Sequence, residues 1–176
     1  MKPASGVFLV ASSGLSDANF MRSIVFLLEH GENGSMGLII NRGLDMPLSA
    51  IWEEVPAGLA DARVAAEGGP VERDRGLLVH GAVELPGCQR IGPGLAIGGE
   101  VAALTARFAG GPDALGPRLF LGHSGWAPGQ LDNELAQGGW LIRPGNLDHL
   151  LTSPPADLWR RLVEGGGAGL PEPSLN

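Results

Sequence analysis

The segment from Ser23 to Asn41 constrains the fold more than any other part of the chain. Ser23 to Glu29 is rich in β-branched and aromatic residues, Gly31-Glu32-Asn33-Gly34 follows, and Ser35 to Asn41 supplies a second apolar stretch. An Asn-Gly pair tolerates the positive φ that a tight turn between antiparallel strands requires, so the pattern predicts a β-hairpin. Val7-Phe8-Leu9-Val10-Ala11 is a short continuous apolar run ended by Ser12-Ser13-Gly14, which predicts a buried strand. Further strands are predicted at Arg63 to Glu67, Gly76 to His80, Leu95 to Ile97, Leu119 to Leu121 and Trp140 to Ile142. Leu48, Ile51, Trp52 and Val55 recur at helical spacing before Pro56 and Gly58, and Val101, Leu104, Thr105 and Phe108 do so before Gly110-Gly111-Pro112. Two more helices are predicted at Gln130 to Gln137 and Pro155 to Val163. With no internal repeat and no linker, the expectation is a single mixed α+β domain over residues 1–163, followed by a mobile Gly/Pro-rich tail at 164–176.

Charge and composition narrow the functional classes. The chain of 176 residues is 44% hydrophobic and 18% charged, which fits a compact fold with one core. Its 12 basic residues are scattered against 19 acidic ones, giving a net charge of -7. Nucleic-acid binding draws on clustered cations, so direct contact with DNA or RNA is disfavoured. No apolar run approaches the roughly 18 residues of a membrane span. The run Gly6 to Ala11 after the lone Lys2 is too short for a secretory signal, which places the protein in the cytoplasm. Cys88 is the single cysteine and has no internal partner for a disulfide.

Chemistry-bearing residues concentrate in a few loops. Gly122-His123-Ser124-Gly125-Trp126 follows a predicted strand and precedes a predicted helix, the setting of a nucleophile elbow. It departs from Gly-x-Ser-x-Gly at Trp126, where an indole would crowd the sharp turn, so the alternative reading is a Gly-rich turn over a packed aromatic. Asp132 and Glu134 are two apart on a helix and do not face each other, and solvated acids in a first helical turn account for them. His30, His80, His123 and His149 show no ligand spacing, and no metal site or cofactor is expected. Gly68-Gly69-Pro70 lacks the Lys-Ser/Thr that completes a phosphate cradle. Asn41-Arg42 at a strand end reads either as an anion anchor or as a tie for the neighbouring loop. Cys88, with Arg90 nearby, reads as an incidental thiol or as a redox sensor.

Four motifs occur in order along the chain: Gly6 to Asp17 with Phe20-Met21-Arg22-Ser23; Met36-Gly37-Leu38-Ile39-Ile40-Asn41-Arg42; Gly68-Gly69-Pro70-Val71 with Arg75 to His80; and Gly122-His123-Ser124-Gly125-Trp126-Ala127-Pro128-Gly129-Gln130-Leu131. Together they resemble the AlgH/YqgE family of bacterial proteins. The resemblance implies a β-sheet core with a barrel-like part and flanking helices. It also implies a role in transcriptional regulation, which the acidic charge makes indirect. Members of that family often carry Tyr-Ala or Tyr-Ser where this chain has His123-Ser124, so a serine nucleophile is not implied. The leading expectation is a non-enzymatic protein acting through contact with a protein or small ligand. Its candidate binding residues are Asn41, Arg42, Gly69, Pro70, His123, Ser124, Trp126 and Gln130. Arg42, Pro70, His123, Trp126 and Gln130 are expected to gather around one concave patch, because loops at the ends of strands in one sheet can converge. The alternatives are a hydrolase or transferase using Gly122 to Gln130, with His80 or His123 as base, and a thiol sensor at Cys88.

Overall fold

A computed structural model describes residues 1–165; the predicted tail therefore lies, apart from its first two residues, outside the described residues. The hairpin forms as the sequence predicts. Strand β2 (Ile24–Gly31) returns as β3 (Gly34–Ile39), with Gly31 opposite Gly34 across the turn. β1 (Val7–Ala11) pairs with β2 on one side and with β10 (Trp140–Pro144) on the other. Beyond β3 come the long strand β9 (Arg118–Trp126), then β6 (Val71–His80), β8 (Leu95–Ile97) and β7 (Gln89–Gly92). β5 (Ala65–Glu67) runs parallel to β9, and the two-residue β4 (Gly43–Leu44) pairs with β5. The result is a curled, mainly antiparallel half-barrel with, among the described residues, four short helices, α1 (Val101–Arg107), α2 (Gln130–Ala136), α3 (Leu147–Leu151) and α4 (Leu158–Val163), an α+β fold.

Both faces of the first three strands are covered, which explains their unbroken apolar runs. Phe8, Val10, Ile24, Phe26, Leu38 and Ile40 point to one core with Leu150, Leu151, Leu158 and Leu162 of α3 and α4. Their alternate neighbours Leu9, Ala11, Val25, Leu27 and Ile39 meet Trp126, Leu131 and Trp140 on the opposite face. A strand buried on both sides has no polar alternation to show. A third cluster seats α1 through Leu104 and Phe108 against Leu48, Leu59 and Leu78.

Three local expectations are corrected. The periodic segment from Leu48 to Val55 forms only a 3-10 turn, Leu48–Ala50, in place of a helix. Strands β4 and β7 and helix α3 arise where the sequence predicts none; each is five residues or shorter, too short for a periodic signal. The predicted turn after Leu121 is absent, because β9 continues to Trp126 through pairs Val71↔His123 and Ser35↔Trp126.

Inside the half-barrel, Arg118 is 2% exposed, with its guanidinium 4.8 Å from the Phe120 ring. Among the described residues its polar contact is a long hydrogen bond, 3.3 Å, from Nη1 to the Leu150 carbonyl, and its Nε has no partner. Burial lowers its pKa to about 10, so the group stays charged at neutral pH. No carboxylate pairs with it among the described residues, and an enclosed charge without a counter-ion costs more than a well-packed apolar side chain of similar volume. Arg118→Met is therefore expected to raise unfolding free energy by about 1–3 kcal/mol, measured by urea denaturation. A loss of stability would show that the tie to α3 outweighs the desolvation cost.

Candidate functional site

Two glycine segments, Gly68-Gly69 and Gly122 to Ser124, cross closely. Gly68 donates its N–H to the Leu121 carbonyl and accepts from Ile39 N–H. Gly122 lies at φ 74°, and a Cβ there would meet the Gly69 carbonyl at 2.4 Å. The crossing thus needs bare backbone on both segments. It also resets the strand's alternation: Phe120 faces one core and Trp126, six residues on, faces the other. Ser124 is fully buried at this crossing, with its hydroxyl donating to the Gly68 carbonyl at 3.0 Å. His123, its neighbour in the strand, points to the other face, with Nδ1 4.0 Å from the Glu72 carboxylate. His80 lies near the far end of β9, where Val79 pairs with Arg118, roughly 20 Å of strand from Ser124. Its Nε2 donates to the Gly98 carbonyl and its Nδ1 accepts from Ala82 N–H, so both ring nitrogens are engaged. Neither histidine is placed as a base for Ser124.

Asn41 and Arg42 hold the loop between β1 and β2. Asn41 accepts from Ile24 N–H and donates to the Arg22 carbonyl, both at 2.9 Å. The Arg42 guanidinium donates to the carbonyls of Asn19 and Met21 and lies 3.9 Å from Glu67. Arg73 adds a bond to the Asn19 side chain and a contact with Glu67 at 3.7 Å. The two carbonyls that Arg42 grips flank Phe20, so this arginine fixes where that ring projects.

Phe20 projects into a cleft of about 280 Å³ beside α2, lined by Leu15, Asp17, Phe20, Gly125, Trp126, Gln130, Glu134, Gln137, Gly139 and Trp140. Phe20 stacks on Trp126 at 6.0 Å between centroids and meets Trp140 edge-on at 5.6 Å. The two indoles are themselves edge to face at 5.8 Å. Their N–H groups converge on a single atom, Glu134 Oε1, at 2.9 Å from Trp126 and 2.8 Å from Trp140. Gln130 donates to the other oxygen of Glu134 at 2.8 Å and accepts from Ala127 N–H, closing the entry to α2. Residues 130 and 134 are four apart and share a helix face, the signal in the sequence that links them. Nothing local in the sequence joins them to Phe20 or Trp140, which β1–β10 pairing delivers through Ala11↔Trp140.

The candidate residues therefore fall into three groups. Trp126 and Gln130 line the cleft; Gly69, His123 and Ser124 meet at the glycine crossing, with half-buried Pro70 next to it; Asn41 and Arg42 secure the loop behind Phe20. Half-buried Cys88 directs its thiol to the Val83 carbonyl at 3.5 Å, and Arg90 Nε donates to the same oxygen at 2.7 Å. Among the described residues no three His, Cys, Asp or Glu side chains gather as a metal site, and no helix is long and apolar enough to cross a membrane.

A curled half-barrel with an aromatic cleft on the sheet face opposite α3 and α4 is the class of protein that this geometry defines. A profile described as AlgH-like matches residues 8–170, and the chain belongs to that family. It is 37% identical over 170 residues to a UPF0301 protein of Myxococcus xanthus, covering 95% of this chain and 93% of the relative. A UPF0301 protein of Ruegeria pomeroyi is 36% identical over 168 residues, with 91% and 90% covered. The solution structure of the AlgH protein from Pseudomonas aeruginosa matches at a TM-score of 0.72 and 31% identity, over 97% of this chain and 94% of that one. A crystal structure of a protein from Corynebacterium diphtheriae matches at 0.73 and 26% identity, over 97% and 91%.

Proposed function

We propose that the protein is a cytoplasmic binding protein that takes a small ligand, or a side chain of a partner protein, in the Phe20–Trp126–Trp140 cleft and influences transcription indirectly. The observation that carries this reading is the triple hydrogen bonding of Glu134, which presets two indoles and a glutamine around an open cleft of mixed aromatic and polar lining. Preorganised aromatic walls with few polar groups are the usual make-up of ligand sites, because little order remains to be imposed on binding. The net charge of -7 and the scattered arginines support an indirect effect on transcription.

An unbiased thermal-shift screen tests the binding role, since a ligand at a hundred times its Kd raises stability by about 2.7 kcal/mol whatever its chemistry. The expected hit quenches or shifts tryptophan fluorescence and is lost in Phe20→Ala. A hit indifferent to Phe20→Ala would move the site elsewhere. A gel-shift assay across salt concentrations is expected to show no specific promoter complex; tight, salt-dependent binding would overturn the indirect reading.

A further inference from the structure

The charge around the cleft is one-sided. Its lining includes two carboxylates, Asp17 and Glu134, and no Lys, Arg or His. Neither carboxylate takes part in an ion pair among the described residues. Asp17 accepts from Asn19 N–H at 2.7 Å, and Glu134 accepts from the two indoles and Gln130. These neutral donors fix the oxygens in place and leave the negative charge uncancelled. The arginines that touch the same loop are turned away: Arg42 and Arg73 are drawn to Asn19 and Glu67, and Arg22 lies over the Trp159 ring at 5.9 Å.

Uncancelled negative charge beside aromatic rings has a definite chemical complement. An ammonium group gains from the two carboxylates, while its alkyl substituents lie against the apolar surface of Phe20 and the exposed rims of the indoles. A volume of about 280 Å³ falls just below the range of drug-sized pockets, which limits the ligand to a small one. We propose that the cleft binds a small organic ammonium cation, of about the size of choline, with the cationic centre between Glu134 and Asp17 and its alkyl groups against Phe20 and the rims of Trp126 and Trp140. This rests on the cleft being the binding site, and it names the class of ligand.

The test is an NMR titration of the full chain that follows the indole N–H signals of Trp126 and Trp140. The probes are choline and its uncharged carbon isostere, 3,3-dimethylbutan-1-ol. Choline is expected to shift both signals and to bind about tenfold more tightly than the isostere, a difference of about 1.4 kcal/mol. Glu134→Gln, which keeps an acceptor for the indoles, is expected to erase that preference. Asp17→Asn, in an exposed position, is expected to weaken choline several-fold without loss of fold, so the inference stays testable if the first variant folds poorly. Equal binding of choline and isostere would overturn the cationic ligand while leaving the cleft as a site. Absence of any indole shift with choline, or choline affinity unchanged in both variants, would overturn it as well. A screening hit lost in Phe20→Ala would still support the cleft in those cases, and a hit indifferent to that change would remove both readings.

Discussion

Gly69→Ala is expected to remove a large part of the protein's stability and to lower its soluble yield sharply. A Cβ at that position would lie 2.2 Å from the His123 carbonyl oxygen, 2.3 Å from its carbon and 2.5 Å from Ser124 N. All three are backbone atoms of β9, which is held by β6 on one side and by β5 and β3 on the other. Relief therefore requires separating the Gly68-Gly69 segment from β9, with loss of the bonds from Gly68 to Leu121 and from Ser124 to Gly68. Overpacking a core whose side chains can still shift costs about 1–3 kcal/mol, and a clash with paired backbone that cannot shift is expected to exceed about 4 kcal/mol, a large part of a typical domain's stability. Circular dichroism and the soluble yield of the purified variant check this. Gly43→Ala, which meets nothing within 4 Å, is the control and is expected to change stability by less than about 0.5 kcal/mol. If Gly69→Ala melted with the same midpoint as the parent protein, the crossing would be looser than its geometry indicates.

Glu134→Ala carries the second largest expected effect, a loss of about 2–5 kcal/mol from leaving buried donors unpaired. Trp126 is 5% exposed and Trp140 3%, so water has little access to replace the carboxylate at their N–H groups. Gln130 would lose its partner as well, loosening the entry to α2. Glu134→Gln retains an acceptor and is expected to cost about 1 kcal/mol, in line with the weaker bonds of a neutral oxygen. Urea denaturation gives the magnitudes, and faster exchange of the two indole protons in the alanine variant identifies the cause. A loss below about 0.5 kcal/mol would show that these donors find other partners. The loss of stability is expected whether or not the cleft takes a cation.

What the chain determined by itself is local or motif-based. The hairpin from Ile24 to Ile39 follows from strand-forming runs around a Gly- and Asn-containing turn, and α2 from its spacing of Leu131 and Leu135. Four ordered motifs carried the family and, with it, the barrel-like sheet. What only the tertiary structure decided is contact between distant segments. Gly122 reads as a turn after Leu121, yet the strand runs on because Gly68-Gly69 crosses it closely and β3 pairs with its end. Ser124 reads as part of that turn, in the setting of a nucleophile elbow, and is buried in the strand for the same reason. Glu134 reads as a solvated acid, because periodicity reports only neighbours on its own helix. Its partners Trp126 and Trp140 come from separate strands, and Phe20 comes from a loop more than a hundred residues away. A cleft assembled from segments so far apart leaves no periodic trace in the sequence, since each segment's pattern records its own burial and not the partner that buries it.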